Sequence, residues 1–200
     1  MYKFAIIGCG RISHKIVEGL AGSKDKAMLI ALSDIVKDKM TSTEKIYNEK
    51  LGLNLSVNKY TDYKDIKNEN IDVVIISTES GYHEEIGLYC LENNINVIIE
   101  KPIALSIEGA QRLVNKAKEK GLKIGVSHQN RFNYPIQLLK KAITEGRMGK
   151  IFNGMARILW TRDMNYYLQA PWRGTWELDG GTLMNQCIHN IDLLNWMMDS

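Results

Sequence analysis

The opening run Tyr2–Ile7 is mostly apolar and empties into Gly8-Cys9-Gly10-Arg11-Ile12-Ser13, after which apolar residues recur at helical spacing (Ile12, Ile16, Val17, Leu20). Strand, glycine turn and helix in immediate succession are how a nucleotide-binding βαβ unit begins, the competing reading being a chance glycine turn. The first glycine permits the tight turn, the second lets the backbone approach a pyrophosphate, and the helix N-terminus attracts the anion. Ser13 stands where a third glycine is usual. Asp34 closes the next apolar run, Ala27–Ser33, about 20 residues on, where a carboxylate can accept the ribose hydroxyls of NAD and repel the 2′-phosphate of NADP. Lys37 and Lys39 follow closely and weaken that preference. Gly8, Gly10, Arg11, Ile12 and Asp34 are therefore expected at a bound NAD. The competing reading is that Asp34 merely caps the next helix.

Further strands are expected over 57–60, 71–77, Asn96–Ile99 and 122–126, with helical patterns between them. The β-branched stretch Asp72-Val73-Val74-Ile75-Ile76 reads as a parallel strand covered on both faces. Ser106 is placed to cap a helix that Gly121 ends. The alternation predicts an α/β fold: a Rossmann-type, doubly wound parallel sheet over residues 1–125, with right-handed crossovers. Ligands of such sheets bind at the C-terminal strand ends. Thr78, Ser80 and His83 lie there, as do Glu100, Lys101 and Pro102. Partial burial would lower the pKa of Lys101 and suit it to acid–base work. His83 reads equally well as a helix-start residue with no ligand role.

Composition narrows the function classes. A chain of 200 residues with 44% hydrophobic content can bury a core. A scattered net charge of +3 gives no footprint for nucleic acid. No apolar run approaches a membrane span. The three cysteines, Cys9, Cys90 and Cys187, lack metal or redox spacing, so reduced thiols and no metal site are expected. With a strand already at the N-terminus and no signal peptide, the expected location is the cytoplasm.

Residues 126–200 break the alternation. After His128-Gln129-Asn130-Arg131-Phe132, a helix is expected from Pro135, with Leu138, Leu139 and Ile143 on its apolar face and Gly146 to Gly149 turning it. A strand is expected over 151–160. Residues 161–181 have no period and hold Tyr166, Tyr167, Trp172 and Trp176 beside Arg162 and Arg173, which suggests a binding loop. A closing helix over 183–198 sorts Leu183, Cys187, Ile188, Ile191, Leu194 and Met198 to one side, expected to pack inward. Asn185, His189 and Asp192 share the other and are expected to face a cleft. Arg131 and Arg173 are candidate partners for phosphate or carboxylate oxygens.

Taken together, the 8–13 turn, Glu100-Lys101-Pro102, Asn130-Arg131-Phe132 and Gly180-Gly181-Thr182-Leu183 ahead of His189 and Asp192 resemble the glucose-fructose oxidoreductase and inositol dehydrogenase (Gfo/Idh/MocA) family over the whole chain. Trp172-Arg173-Gly174-Thr175-Trp176, with Asp179-Gly180-Gly181-Thr182-Leu183-Met184-Asn185-Gln186, is most similar to the branch that oxidises the C3 hydroxyl of UDP-N-acetylglucosamine or its uronic acid. The resemblance implies a second domain, here the incomplete 126–200, built on an open, mostly antiparallel sheet that often makes a homo-oligomer. It also implies NAD as cofactor and Lys101, His189 and Asn185 as catalytic residues. Trp172 and Arg173 join the cofactor contacts, while Lys101, Asn130, Arg131, Asn185 and His189 contact substrate. A cis Lys101–Pro102 bond is expected. Asn185 departs from the aspartate many members carry. Hydride would pass from a secondary sugar carbon to the nicotinamide while His189 takes the hydroxyl proton and Lys101 stabilises the alkoxide. The alternatives are a dehydrogenase of a free sugar, polyol or inositol, and a non-catalytic NAD-binding sensor or scaffold.

Overall fold

A computed structural model describes residues 1–198, which form two compact units, Met1–Val126 and a second that begins at Ser127. In the first, six parallel strands form one sheet: β1 (Tyr2–Ile7), β2 (Ala27–Ser33), β3 (Asn58–Tyr60), β4 (Val73–Ile76), β5 (Asn96–Ile99) and β6 (Ile124–Val126). Their order is β3-β2-β1-β4-β5-β6. Successive crossovers run in opposite directions from β1, so the carboxyl ends of β1 and β4 bound the crevice where such sheets bind ligands. The crossovers carry α1 (Ser13–Gly22), α2 (Lys37–Leu51), α3 (His83–Glu92) and α4 (Ile107–Lys120).

Helices on both faces explain why the strands read as apolar runs. Ile7, Val74, Ile76, Leu91, Ile99 and Leu113 fill one layer, while Ile6, Val17, Leu29, Leu32, Met40 and Tyr47 fill the other. Adjacent residues of β1 thus enter opposite layers, as the strand period of two requires. Each such side chain contributes about 1.5–3 kcal/mol by burial. Tyr47 also accepts a hydrogen bond through its hydroxyl from Leu29 N at 3.2 Å, so its polar tip is satisfied inside. The expected ends of α4 are present: Ser106 Oγ accepts from Gly109 N at 3.0 Å, and Gly121 takes φ +66°.

The second unit contains α5 (Tyr134–Thr144), the short α6 (Met164–Leu168), and a π-helical turn Leu183–Cys187 that continues into α7 (Ile188–Met198). Two expectations need correction. Residues 151–160 form no strand; the described residues of this unit contain no other strand to complete a ladder, and one extended segment cannot satisfy its own backbone. The closing helix also does not sort into an inward apolar face and an open polar one. Leu183 is 67% exposed and Ile191 38%, whereas His189 is only 8% exposed. A π turn closes through a longer hydrogen bond than an α turn, so a helical wheel begun at Leu183 loses its angle before α7 starts. No helix among the described residues is long and apolar enough to cross a membrane.

Candidate functional site

The ladder of the first unit continues past its strand ends. Gly8 N donates to Ser33 O at 2.8 Å, Ser77 N to Ile7 O at 2.8 Å, and Glu100 N to Ile76 O at 2.9 Å. The loops after β1, β4 and β5 therefore leave from one edge. Gly8 has φ +92°, and a Cβ there would lie 2.6 Å from the carbonyl carbon of Ser77. Only glycine fits so close to the β4 loop, whose Ser77 hydroxyl donates to Gly8 O at 2.7 Å. Around Gly10, by contrast, a Cβ would meet nothing within 4 Å. That backbone is open to a ligand.

Ser13, in the third-glycine position, is fully buried. Its hydroxyl donates to Gly10 O at 2.7 Å and shares a 3.1 Å hydrogen bond with Thr43 Oγ1 of α2. Nothing in the spacing of the motif signals that partner. Asp34 Oδ2 accepts from Cys9 N and Oδ1 from Val36 N, both at 2.8 Å. The carboxylate braces the glycine turn; the residue capping α2 is Val36. Each carboxylate oxygen has two acceptor sites, so these bonds leave capacity for ribose hydroxyls. Burial, and then the Asp34 charge, push the Cys9 thiol up to about 12, which keeps it an inert thiol.

Thr78 and Ser80 follow β4, with Thr78 half-buried and Ser80 9% exposed. His83 corrects an expectation. It is 1% exposed, with Nδ1 2.7 Å from Pro102 O and Nε2 3.1 Å from Thr78 O. Enclosed in this way, its ring ties two loops together rather than meeting a cofactor. Burial lowers its pKa; the two carbonyls oppose that shift and Lys101 adds to it. The Lys101–Pro102 bond is cis, as expected. Glu100 and Lys101 are half-buried at the same edge.

The second unit gathers its own polar cluster. A 3₁₀ turn, Gln129–Phe132, carries Asn130 and Arg131, and α7 carries His189 and Asp192. His189 Nε2 lies 3.4 Å from Gln129 Nε2, and the rings of His128 and His189 meet edge to face at 6.2 Å. Arg131 does not present the open fork expected of it. Nε donates to Asp192 Oδ2 at 2.8 Å and Nη2 to Oδ1 at 2.5 Å, a bidentate pair that raises the Arg131 pKa. This pair pins α7 to the turn. Asn185 donates through Nδ2 to Asp179 Oδ1, and Asp179, 3% exposed, accepts from Gly174 N at 2.8 Å through Oδ2. Gln129 and Asp179 stand in motifs quoted from the sequence but were given no site role there. Gly174, Gly180 and Gly181 around Asp179 all take positive φ. Trp172 and Arg173 stack together, the guanidinium carbon 5.1 Å from the indole centroid. Among the described residues no group of His, Cys, Asp and Glu side chains could hold a metal ion.

Comparison with known proteins bears on this arrangement. Residues 2–128 match the profile of an oxidoreductase family with an NAD-binding Rossmann fold, and residues 136–200 match the GFO/IDH/MocA C-terminal domain. The chain is 27% identical to a myo-inositol 2-dehydrogenase of Thermotoga maritima, over 98% of this chain and 54% of that protein. It is 36% identical to the WlbA dehydrogenase of Chromobacterium violaceum, solved with NADH and UDP-GlcNAcA, with a TM-score of 0.85 over 98% of this chain and 55% of the other. The Bordetella pertussis WlbA dehydrogenase, solved with the same two ligands, gives 34% identity and a TM-score of 0.86 over 98% and 57%. The chain thus spans about half the length of the proteins it matches.

Proposed function

This chain belongs to the Gfo/Idh/MocA oxidoreductase family, and on that premise we propose that its protein is an NAD-dependent dehydrogenase of a nucleotide sugar, oxidising a secondary (C3) hydroxyl of UDP-N-acetylglucosamine or its uronic acid. The observation that carries the substrate reading is the likeness, at 34–36% identity over 98% of the chain, to two dehydrogenases solved with NADH and UDP-GlcNAcA. The residues present fit the cofactor. Gly8 admits no side chain, Gly10 leaves its backbone open, and Asp34 retains acceptor capacity. Gly8, Gly10, Arg11, Ile12, Asp34, Thr78, Ser80, Glu100 and Lys101 would hold the dinucleotide, joined by Trp172 and Arg173. Bound NAD supplies the hydride acceptor.

The chain's own residues handle the proton. His189 takes it from the hydroxyl, since an imidazole has an ordinary pKa near neutrality. Lys101 donates a hydrogen bond to the same oxygen and stabilises its developing charge. Asn185 cannot titrate; fixed by Asp179, it orients the sugar. Asn130 supplies a further substrate contact, and the protein works as a homo-oligomer. The second reading, an inositol or other polyol dehydrogenase, is favoured by the Thermotoga relative.

The test is NADH formation by the full-length protein with UDP-N-acetylglucosaminuronate, UDP-N-acetylglucosamine and myo-inositol. Turnover of a UDP-sugar in preference to inositol is expected, and the reverse order would move the protein to the second reading. NAD should bind about tenfold more tightly than NADP, about 1.4 kcal/mol. Lys101→Ala and His189→Ala should each lower turnover about 100-fold or more. Their combination should lose far less than the product, because residues that act as one unit are not additive. Strictly multiplicative losses would separate the two roles.

A further inference from the structure

Arg162 has been given no role so far, and its surroundings are unusual for a surface arginine. It precedes Asp163, the cap of α6, and its guanidinium carbon lies 5.1 Å from the centroid of the Tyr166 ring. The guanidinium carbon of Arg173 lies 4.3 Å from the same centroid. Each arginine is also backed by a tryptophan, Trp160 at 5.2 Å from Arg162 and Trp172 at 5.1 Å from Arg173. Tyr166 is itself fixed: Gln186 Nε2 donates to its hydroxyl at 2.8 Å, and Tyr167 meets its ring edge to face at 5.2 Å. Two cations thus converge on one hydrogen-bonded aromatic ring.

Neither cation is neutralised. Arg112, Arg131 and Arg147 each have a carboxylate partner, but among the described residues none lies within ion-pair reach of Arg162 or Arg173. The nearby acids are engaged elsewhere. Asp163 accepts from Tyr166 N at 3.0 Å and Asn165 Nδ2 at 3.3 Å, and Asp179 accepts from Gly174 N and Asn185. Arg162 gives one bond to a carbonyl, Thr161 O at 3.1 Å. Arg173 Nε is shielded from solvent and has no acceptor among the described residues. Stacking holds a guanidinium plane while leaving its N–H edge to an in-plane acceptor, and that edge matches two oxygens of a phosphate or carboxylate. Like charges brought together beside an unsatisfied donor are what an anion would relieve.

We propose that Arg162 and Arg173, held on Tyr166, form an anion site that takes the phosphate or carboxylate oxygens of a small ligand. Two sources carry that chemistry: the pyrophosphate of the dinucleotide, and the diphosphate or uronate group of the substrate. The inference rests on the nucleotide-sugar reading only in its choice of sugar probes. The experiment is calorimetric titration of the chain, as wild type, Arg162→Gln and Arg162→Lys, with inorganic pyrophosphate, NADH, UDP-N-acetylglucosamine and UDP-N-acetylglucosaminuronate.

Arg162 is exposed, so Arg162→Gln should keep the unfolding midpoint while weakening the ligand that uses the site at least tenfold. Arg162→Lys, which keeps the charge without the planar fork, should recover part of the loss. Weakened NADH assigns the dinucleotide as source; weakening of both UDP-sugars assigns the diphosphate; weakening of the uronate alone assigns its carboxylate. If neither UDP-sugar binds while pyrophosphate or NADH still depends on Arg162, the nucleotide-sugar reading fails and the anion site stands. Affinities within threefold of wild type for all four probes, or no binding of any probe to the wild type, would overturn the proposal.

Discussion

A single proton on His83 bears on two loops. Neutral imidazole donates through one nitrogen, yet both of its nitrogens face backbone carbonyls, those of Pro102 and Thr78. Burial lowers its pKa from 6.5. Between that depressed value and 6.5 the unfolded chain binds more protons than the folded one, so stability rises with pH in this window and is lost as pH falls through it. His83→Gln should remove that component. Urea midpoints at about pH 7.5 and about pH 5.5 should therefore diverge less in the variant than in the wild type. An identical divergence would show that His83 does not titrate with folding. The glycine turn permits a second comparison at this scale. Gly8→Ala forces a Cβ to 2.6 Å from Ser77 at φ +92°, and should cost about 2 kcal/mol or more of stability. Gly10→Ala enters open space and should change stability by no more than about 0.5 kcal/mol. If the open space belongs to the dinucleotide, Gly10→Ala should still weaken NADH binding. Equal stabilities for the two variants would contradict the close approach of the β1 and β4 loops.

The elements legible in the sequence were those whose boundaries are set by their own residues. Ser106 and Gly121 mark α4 because one accepts from Gly109 N and the other takes a left-handed φ. Ser106→Ala should accordingly cost about 1 kcal/mol, read as a lowered urea midpoint with an unchanged slope; no change would mean that water replaces the cap. The strands β1, β4 and β5 were legible because a strand covered on both faces is apolar at every position. What escaped depends on partners far along the chain. Ser13 is understood only through Thr43, and Arg131 only through Asp192, 61 residues away. Residues 151–160 have the composition of a strand but no neighbouring strand among the described residues, and the π turn at Leu183–Cys187 upset an assignment of faces that assumed one α-helix. The edge residues of the first unit could be listed from strand ends alone. His83 could not be sorted, since a strand-end position does not reveal that its ring is enclosed.

Across the chain, burial is divided unevenly between the two units. Among the described residues, every buried hydrophobic residue lies at or before Ala117, in Met1–Val126. Among the described residues of the second unit, only Asp179 and His189 are buried, both polar. Large apolar side chains there stand exposed instead, among them Phe152 at 83%, Leu159 at 84% and Trp176 at 84%. Since hydrophobic burial supplies most of the drive for folding, the first unit should carry nearly all of the global stability. The second is held by hydrogen bonds, by ring contacts and by the Arg131–Asp192 pair, whose carboxylate side is only 10% exposed. Such structure opens at low free energy. In hydrogen exchange on this 200-residue chain, amides of β1, β4 and β5 should be protected to near the global limit, while those over 151–181 should exchange at least about 100-fold faster, corresponding to about 2.7 kcal/mol or more. Arg131→Gln should loosen α7 further, because a carboxylate largely withdrawn from water loses its guanidinium partner, and should leave the β1 amides unchanged. If the two units instead exchanged together in one cooperative step, the second would owe its stability to interactions that its own packing does not supply.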